Sequence, residues 1–290
     1  MKPIKNFRIV ITGAGGMLAT AVENALRHDF EVIALTEQQL DITRMDAVTQ
    51  MTKDIKPNII INAAAYTNVD KCEKEYEIAR LVNGIAVGYL AKAAQSINAG
   101  IIHISTDYIF DGEKDGPYTE EDRPNPISMY GLSKLIGEQE LLKYTSNYII
   151  LRTQWLYGEN GKNFVDTIIQ LAQEKDELQV VDDQYGSPTY TKDLAFMIKW
   201  FVEHPDIKGR ILNFSNEGIV SWFGFAKQIL KLAGIKTNVV PVDSNAFPRP
   251  AKRPHNSALD KTAIKRLTSL DIRPWYDALY EYIKTKKVIR

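Results

Sequence analysis

The chain has 290 residues, enough for one large domain or two modest ones, and 44% apolar with 25% charged residues is an ordinary globular composition. Lysine plus arginine and aspartate plus glutamate balance at 36 each, which excludes a global charge that would attract nucleic acid or an anionic membrane. A local group of cations could still hold an anionic small molecule.

Cysteine and histidine are sparse in this sequence. The single cysteine, Cys72, excludes an intramolecular disulfide and a thiolate zinc cluster, and the four histidines are scattered. No apolar run approaches the length of about 18 residues that a membrane helix needs, and the early run "IVI" is too short for a signal peptide. We therefore expect a cytoplasmic protein without a membrane segment and without a bound metal.

The first half of the chain alternates short apolar runs with helical patterns. Leu18, Val22 and Leu26 recur at helical spacing, and residues 80–97 predict another long helix. Continuous apolar strands that alternate with helices predict an α/β fold, a doubly wound parallel sheet covered on both faces. The strand-like runs are "FRIVIT" (7–12), "EVIAL" (31–35), "NIIINAAA" (58–65) and "GIIHIST" (100–106).

The pattern becomes irregular after "YIILRT" (148–153). We predict a Rossmann-type cofactor domain over residues 1–152, followed by a smaller α/β substrate domain over residues 153–290 that packs against its strand ends. Within the second part we predict helices at 163–174, 190–203 and 221–233, strands at "LQVV" (178–181) and "RILNFS" (210–215), and two terminal helices after the Pro-rich "FPRPAKRP" (247–254).

Gly13, Gly16 and Ala19 form a G-x-x-G-x-x-A pattern in "ITGAGGMLA", between a predicted strand and a predicted helix. Glycines there let the backbone turn sharply and approach a pyrophosphate, whose charge a helix N-terminus favours. The alternative is a strand-to-helix turn that needs glycine only for its own conformation. The strand, loop and helix context favours a dinucleotide site.

The end of the second predicted strand lacks the acidic residue that would select NAD by accepting both ribose hydroxyls. Thr36 stands there and Glu37 follows, so the sequence selects neither NAD nor NADP. Asp41, in "LDIT" (40–43), is a candidate adenine contact, or the N-cap of the following helix.

Tyr130 and Lys134 stand four residues apart in "MYGLSK" and would share one face of a helix. Spacing alone does not distinguish a proton-donating pair from two surface residues. The sequence has two further pairs with this spacing, Tyr280/Lys284 and Tyr282/Lys286.

Position separates the first pair from the other two. Tyr130 follows Thr106 by 24 residues, and the segments 62–70 and 103–112 lie where the third and fourth strands end. Ligands of doubly wound folds bind outside the carboxyl ends of the strands, so both segments face the same crevice as the glycine loop. A helix that starts at Ser128 would present Tyr130 and Lys134 to that crevice.

Longer motifs extend in order from residue 12 to residue 260. They are "TGAGGMLA", "LDIT", "NAAAYTNVD", "ISTDYIFDG", "PISMYGLSK", "LRTQWLYG", "KNFV", "VVDDQYGSPTYTKDLA" and "PRPAKRPHNSALD". With these motifs the chain resembles the extended short-chain dehydrogenase/reductases and, among them, the dTDP-4-dehydrorhamnose reductases. The resemblance implies reduction of the C4 keto group of dTDP-4-dehydro-L-rhamnose to dTDP-L-rhamnose, for polysaccharide biosynthesis, with NADPH as cofactor and NADH as the alternative.

The resemblance also implies a separate chemical role for each of three residues. Tyr130 would give a proton to the oxygen that becomes negative when hydride arrives at C4. Lys134 would favour the phenolate, because a free phenol has a pKa near 10, and would bind the nicotinamide ribose. Thr106 would hold the carbonyl oxygen through its hydroxyl group.

The resemblance assigns the remaining site residues to two sets. The cofactor-binding set is Gly13, Gly16, Met17, Leu18, Asp41, Ile42, Ala63, Ala64, Ala65, Tyr66, Asn83, Tyr130 and Lys134. The substrate-binding set is Thr67, Val69, Thr106, Asp107, Trp155, Arg253 and Asn256. Arg253 suits the nucleotide diphosphate, because a guanidinium group binds phosphate oxygens in a fork. The alternatives are core packing at a domain interface for Trp155 and a solvated loop charge for Arg253.

Two features depart from the pattern of the resembled family. Gln154 precedes the tryptophan of "RT-x-W", where the family usually has Ser or Ala, so the sugar pocket could differ. Some dimeric members hold Mg²⁺ between subunits with glutamates, and the corresponding positions here are Ala21 and Lys192. A lysine would repel the ion, so we expect no metal, and a monomer and a homodimer both stay open.

Two other functions also stay open. Gln154 allows a reductase of another nucleotide-linked 4-keto-6-deoxy sugar. From a different class, a non-catalytic regulatory subunit could share the fold, although such a subunit has no chemical use for Thr106, Tyr130 and Lys134.

Overall fold

Six parallel strands form the central sheet of the computed structural model, which describes residues 7–286. The strands of the chain are β1 (Arg8–Thr12), β2 (Glu31–Leu35), β3 (Ile59–Asn62), β4 (Gly100–Thr106), β5 (Tyr148–Thr153), β6 (Leu156–Tyr157), β7 (Glu177–Val181), β8 (Tyr185–Gly186), β9 (Thr189–Tyr190), β10 (Arg210–Asn213), β11 (Val220–Ser221) and β12 (Asn238–Val242). The order across the central sheet is β10, β5, β4, β3, β1 and β2, and Ile11 of β1 lies opposite Ala34 of β2 and Ile61 of β3.

Helices cover both faces of this sheet, which confirms the predicted doubly wound α/β fold. The helices are α1 (Met17–Leu26), α2 (Met45–Ile55), α3 (Val69–Cys72), α4 (Tyr76–Arg80), α5 (Ala86–Ser96), α6 (Met129–Tyr144), α7 (Phe164–Glu174), α8 (Thr191–Glu203), α9 (Trp222–Ala233), α10 (Thr262–Thr268) and α11 (Trp275–Thr285). Apolar side chains of α1 and α8 pack on one face of the sheet, and those of α2, α5 and α6 pack on the other.

The long helix predicted over residues 80–97 contains a π-helical turn that the sequence pattern did not indicate. The chain forms α4, then a π-helical turn at Leu81–Ile85, then α5. The wider turn directs the Asn83 amide toward Tyr66 and Ser133, whose polar groups it binds. Such π turns inside α-helices are frequent at functional sites.

The second half of the chain contributes to the first unit. Strand β10 pairs with β5 at the edge of the central sheet, and Leu194, Phe201 and Leu212 belong to the same core as Ile9 and Ile11. The division into residues 1–152 and 153–290 stays a prediction, and the ends 1–6 and 287–290 lie outside the described residues. We propose that residues 191–216 belong to the cofactor domain.

A second core lies beside the sheet and forms the smaller unit. Helices α7, α9 and α11 pack their apolar faces together with the parallel pair β7 and β12. Within residues 7–286, no helix is both long and apolar enough to cross a membrane.

Candidate active site

The glycine loop crosses the carboxyl edge of the sheet between β1 and α1. Gly13 has a φ of +77°, and a Cβ there would lie 2.8 Å from the backbone of Ala64, so only glycine fits this turn against the loop after β3. Helix α1 begins at Met17 with no side-chain cap and no acidic residue in its first turn. Its unpaired N–H groups and positive end therefore suit an anionic diphosphate.

The predicted residues around this loop differ in what they expose. Gly16 is exposed and Met17 is partly buried, whereas the side chains of Leu18 and Ile42 are buried in the two cores on either side of the sheet. A ligand contact predicted for Leu18 and Ile42 would therefore have to be made by their backbone. Asp41 is exposed and its Oδ1 accepts hydrogen bonds from the Thr43 N–H at 2.9 Å and the Thr43 hydroxyl at 2.6 Å. These two bonds lower the Asp41 pKa, and the N-cap of α2 is Arg44, not Asp41.

The segment after β3 is held in place by Asn83. The Tyr66 N–H donates to Asn83 Oδ1 at 2.7 Å, and Asn83 Nδ2 donates to the Tyr66 carbonyl and the Ser133 hydroxyl, both at 3.0 Å. The predicted contact of Asn83 with the cofactor stays a prediction, but in this structure the amide is fully used in fixing the loop. Ala63, Ala64 and Ala65 lie partly buried between β3 and Tyr66.

Helix α6 presents Tyr130 at its first turn. Ser128 caps the helix by accepting from the Gly131 N–H at 3.2 Å. A Cβ on Gly131 would lie 2.0 Å from the Tyr108 carbonyl oxygen, so glycine is what lets α6 touch the 3₁₀ turn at Asp107–Ile109. The ring of Tyr130 consequently lies edge-on to that of Tyr108, with 5.5 Å between the ring centroids.

Lys134 lies one turn further along α6 and is only 2% exposed. Its Nζ donates to the Ile104 carbonyl oxygen of β4 at 2.6 Å. Burial lowers the Lys134 pKa to about 8, against the charge of Glu138, which favours the protonated form. The ammonium group therefore titrates close to neutral pH.

The electrostatic surroundings of Tyr130 differ from the expectation. Burial raises the Tyr130 pKa, the charge of Asp107 raises it further, and the nearby Thr106 hydroxyl acts in the opposite direction. The expected lowering by Lys134 is not among the largest influences on this phenol. The Tyr130 phenol is thus neutral in this structure.

Thr106 and Asp107 end β4 directly beside Tyr130. The Thr106 hydroxyl donates to Asp107 Oδ1 at 2.9 Å and accepts from the Tyr108 N–H at 3.2 Å. Asp107 is only 2% exposed, and burial raises its pKa to about 7. Its other oxygen, Oδ2, is buried without a hydrogen-bond partner. A neutral and a charged form of this carboxyl group are therefore both available near pH 7.

Trp155 follows β5 by two residues and packs against the second core. Its φ is +46°, a strained conformation for a bulky residue, and its ring stacks on Trp222 with centroids 3.4 Å apart. The ring is only partly buried, so the core packing that was the alternative for this residue leaves part of it accessible. Of the other predicted substrate contacts, Thr67 is exposed and Val69 begins α3.

Arg253 forms an ion pair with Asp70, which is not among the site residues predicted from the sequence. Its Nη1 and Nη2 donate to the two carboxylate oxygens of Asp70 at 2.7 and 2.9 Å, and its Nη1 also donates to the Ala251 carbonyl at 2.6 Å. The pair lies beside Tyr108, and the charges of Arg253 and Asp70 both act on the pKa of the Tyr108 hydroxyl group. Arg253 is therefore an oriented guanidinium group in the site and not a free loop charge.

Asn256 serves the neighbouring loop. Its Nδ2 donates to the carbonyls of Lys114 at 2.9 Å and Gly116 at 2.7 Å, and its Oδ1 accepts from the Ala258 N–H at 3.0 Å. The predicted substrate contact of this side chain stays a prediction, because every polar group of the amide is already bonded within the protein.

Two buried polar groups beneath Lys134 were not selected by the sequence patterns. Glu138 receives two hydrogen bonds from Arg152, at 3.0 and 2.8 Å, and one from Ser105. Its place four residues after Lys134, on the same face of α6, was the available signal. His103 lies one residue before Ile104 on β4, and burial lowers its pKa, so the imidazole is neutral and adds no second cation near Lys134.

No group of three or more potential metal ligands occurs within the part of the chain described by the structure. Ala21 and Lys192 instead line a cavity of about 490 Å³ between α1 and α8, where Lys192 donates to Glu281 at 2.5 Å. None of Thr106, Tyr130 and Lys134 lines this cavity, but Met17 of the predicted cofactor-binding set does, so the cavity adjoins the start of α1.

The chain is similar along nearly its whole length to one family of proteins. The pattern described as RmlD substrate binding domain matches residues 7–288. A relative named dTDP-4-dehydrorhamnose reductase, from Aggregatibacter actinomycetemcomitans, is 43% identical over 94% of this chain and 97% of its own length.

Two solved structures have the same fold as this chain. One is a dTDP-4-dehydrorhamnose reductase from Clostridium acetobutylicum, 44% identical, with a TM-score of 0.94 and coverage of 97% of this chain and 100% of that one. The other, from Bacillus anthracis, is described as a dTDP-4-dehydrorhamnose reductase in complex with NADP. It is 39% identical, with a TM-score of 0.93 and coverage of 96% of this chain and 99% of that one.

Proposed function

Since the chain belongs to the RmlD substrate binding domain family, we propose that it reduces the C4 keto group of dTDP-4-dehydro-L-rhamnose to dTDP-L-rhamnose, with Tyr130 as the proton donor. The reaction makes it an NAD(P)H-dependent oxidoreductase. The observation that carries this proposal is the convergence of Thr106, Tyr130 and Lys134 at the carboxyl edge of the sheet.

The residues at the glycine loop fit a nicotinamide dinucleotide. Gly13 and the uncapped start of α1 would hold the pyrophosphate, and the Asn83-fixed segment from Ala63 to Tyr66 would line the adjoining cleft. A nicotinamide bound there supplies the hydride. We propose NADPH, with NADH as the alternative, since the Bacillus anthracis relative is described in complex with NADP.

The proton moves through groups of this chain. As hydride reaches C4, the keto oxygen gains negative charge and takes the phenol proton from Tyr130, leaving a phenolate. Lys134 lies one helical turn away, and its positive charge would stabilise that phenolate. The Thr106 hydroxyl would hold the keto oxygen in line with the phenol.

Two residues would orient the rest of the substrate. Arg253, held in a fork by Asp70, would present its remaining N–H groups to the nucleotide diphosphate. The strained Trp155 would cover the sugar from the side of the second core. Gln154, beside it, favours a second candidate, the reduction of another nucleotide-linked 4-keto-6-deoxy sugar.

The proposal is tested by following NADPH and NADH oxidation with dTDP-4-dehydro-L-rhamnose for the wild-type protein and for Tyr130→Phe. Loss of the proton donor should lower kcat by roughly 10² to 10⁴. Tyr280→Phe is the matched control, because Tyr280 has the same Tyr/Lys spacing but is exposed, with Lys284 over its ring face.

Undiminished turnover by Tyr130→Phe would overturn the role given to Tyr130. No turnover by the wild type with either cofactor, but turnover of a different nucleotide-linked 4-keto-6-deoxy sugar, would move the assignment to the second candidate. No turnover of any such sugar would favour the non-catalytic subunit.

A further inference from the structure

The N–H groups at the start of α6 are only partly satisfied by the helix itself. Its first turn contains no acidic residue, and its cap, Ser128, accepts from one N–H group, that of Gly131, at 3.2 Å. The first N–H groups of any α-helix have no partner inside the helix, and they carry a partial positive charge. The other N–H groups of this turn therefore need acceptors from outside the helix.

Glu73 supplies one of these acceptors from a different element. It directly follows α3, 56 residues before Met129, and its Oε1 accepts a hydrogen bond from the Met129 N–H at 2.9 Å. A side-chain carboxylate at a helix start both binds a free N–H group and compensates the positive end of the helix. The acidic group that the first turn of α6 lacks thus comes from the segment between β3 and β4.

The backbone around Tyr130 is held on both sides. Before it, the Met129 N–H is bound to Glu73. After it, the Tyr130 carbonyl accepts from the Ser133 hydroxyl at 2.7 Å, and the Ser133 oxygen in turn accepts from Asn83 Nδ2 at 3.0 Å. Glu73 and Asn83 both lie between β3 and β4, so this segment fixes the place of the first turn of α6.

The same segment carries two predicted substrate contacts. Thr67 and Val69 lie shortly before Glu73, and the short helix α3 connects them to it. Asn68 caps α3 by accepting from the Lys71 N–H at 3.0 Å. The hydrogen bond from Met129 to Glu73 therefore links the part of the chain proposed to bind the sugar with the helix that carries its proposed proton donor.

We propose that Glu73 is a positioning residue, which holds the first turn of α6 so that the Tyr130 phenol stands within hydrogen-bond reach of the keto oxygen of the sugar. The inference rests on the proposed function, since Tyr130 is the proton donor of that reaction. Glu73 acts through the Met129 N–H and not on the reacting atoms. Proton transfer needs the two heavy atoms about 2.6 to 3.2 Å apart, and a misplacement of about 1 Å can lower a rate roughly 10²-fold.

Three variants of Glu73 separate the hydrogen bond from the rest of the side chain. Glu73→Gln keeps an acceptor oxygen at the same reach, so it should keep kcat within about threefold of the wild type. Glu73→Ala removes the acceptor, and Glu73→Asp withdraws it by about 1.5 Å, the length of one C–C bond. Both should lower kcat by about tenfold, while KM for the nucleotide sugar and for NADPH stays within about twofold.

The solvent deuterium isotope effect on kcat tests the positioning role directly, because a loss of folded protein does not change it. It is the ratio of kcat in H₂O to kcat in D₂O, measured where kcat does not depend on pH, so an inactive fraction cancels. When Tyr130 is displaced, the transfer of its proton becomes slower than the other steps and limits kcat more strongly. We expect an isotope effect about twofold larger in Glu73→Ala and Glu73→Asp, and an unchanged one in Glu73→Gln.

Glu77→Ala is the matched control. Glu77 is an exposed glutamate of the neighbouring helix α4, and its carboxylate pairs with Arg80 of the same helix at 3.3 Å. The variant removes an acidic side chain from the same segment, and it should leave both kcat and the isotope effect unchanged.

Hydrogen exchange of the Met129 amide is a second measurement, which needs no turnover. An amide exchanges when its hydrogen bond opens, so exchange should be about tenfold faster in Glu73→Ala and as slow as in the wild type in Glu73→Gln. Equal exchange in Glu73→Ala and the wild type would contradict the hydrogen bond itself.

The outcomes separate the two proposals. A wild type without turnover overturns the proposed function and with it the role of Glu73, whereas an active wild type with an unchanged isotope effect in Glu73→Ala overturns only the role of Glu73. A Glu73→Gln variant as impaired as Glu73→Ala also overturns that role, since it keeps the acceptor. If Glu73→Ala does not fold, Glu73→Asp takes its place in both measurements.

Discussion

Lys134 places a charge where the proposed reaction needs one but where burial makes that charge unfavourable. Its ammonium group is buried against the Ile104 carbonyl, and the loss of hydration lowers its pKa to about 8 from the ordinary value of 10.5. The nearby negative charge of Glu138 is itself neutralised by Arg152, so it repays little of this desolvation cost. The charged form of Lys134 should be lost as the pH rises through about 8.

Lys134→Met should therefore remove activity without removing stability. We expect kcat to fall by roughly 10² or more, because the phenolate of Tyr130 loses its neighbouring charge, while Tm stays within about 3 °C of the wild type or rises. Steady-state kinetics and thermal unfolding measure the two effects. Lys143→Met, at an exposed position on the same helix, is the control for kcat. A large fall in Tm would show that the lysine is structural.

The contact of α6 with the turn at Asp107–Ile109 is the feature at the scale of elements that assembles the site. Ser128 starts the helix, and the missing side chain at Gly131 lets its first turn touch the Tyr108 carbonyl. This contact sets the distance between Tyr130 and Thr106. The π turn at Leu81–Ile85 supports the other side of α6, because its Asn83 binds Ser133 and also the loop after β3.

Gly131→Ala tests this contact. A methyl group 2.0 Å from a backbone carbonyl oxygen must push α6 away from the turn, so we expect both a loss of about 2 to 4 kcal/mol in the free energy of unfolding and a kcat at least tenfold lower. Denaturant unfolding and initial rates measure the two losses.

Gly88→Ala is the matched control within α5, since its Cβ would meet only the side chains of Glu140 and Tyr144, at 3.1 Å or more. It should change the free energy of unfolding by less than about 1 kcal/mol. Wild-type stability in Gly131→Ala would mean that α6 and the turn adjust without cost, against the close packing seen here.

At the scale of the whole molecule, residues from both sides of the predicted boundary at 152/153 share one core. Helix α8 packs on α1, and β10 completes the sheet beside β5, so one core contains side chains from both halves of the chain. The charge pairs of Arg273 with Asp193 and Glu281 join α8 to the smaller unit. If the proposed site is correct, its residues come from both units, because Tyr130 belongs to the first unit and Trp155 packs against the core of the second.

A fragment of residues 1–152 should not fold cooperatively. It would expose the edge of β5 and the face of α1 that α8 covers, apolar surface that a stable domain buries. We expect aggregation or a broad, non-cooperative unfolding transition by circular dichroism, compared with a cooperative transition of the full chain. A soluble monomeric fragment with a sharp transition would show that residues 191–216 are dispensable for the first unit.

The sequence by itself determined the fold class, the glycine loop and the position of Tyr130 and Lys134 relative to Thr106. These depend on local patterns: apolar runs separated by helices, glycines at a strand-to-helix turn, and two residues on one face of a helix. The helices of the second half and the strands β7 and β10 were also predictable, within a few residues, from the same periodicities, whereas β12 and the two-residue strands β6, β8, β9 and β11 were not predicted.

Only the tertiary structure decided where the protons and charges of the site point. Arg253 pairs with Asp70 across 183 residues, and Ser257 donates to Gln154 across 103 residues, so no local pattern contains either contact. The resemblance predicts Asn83 and Asn256 as ligand contacts, and in this structure their amides also bind groups of the protein itself. A hydroxyl or amide has few hydrogen bonds to give, and which partner receives them depends on groups that meet only when the chain has folded.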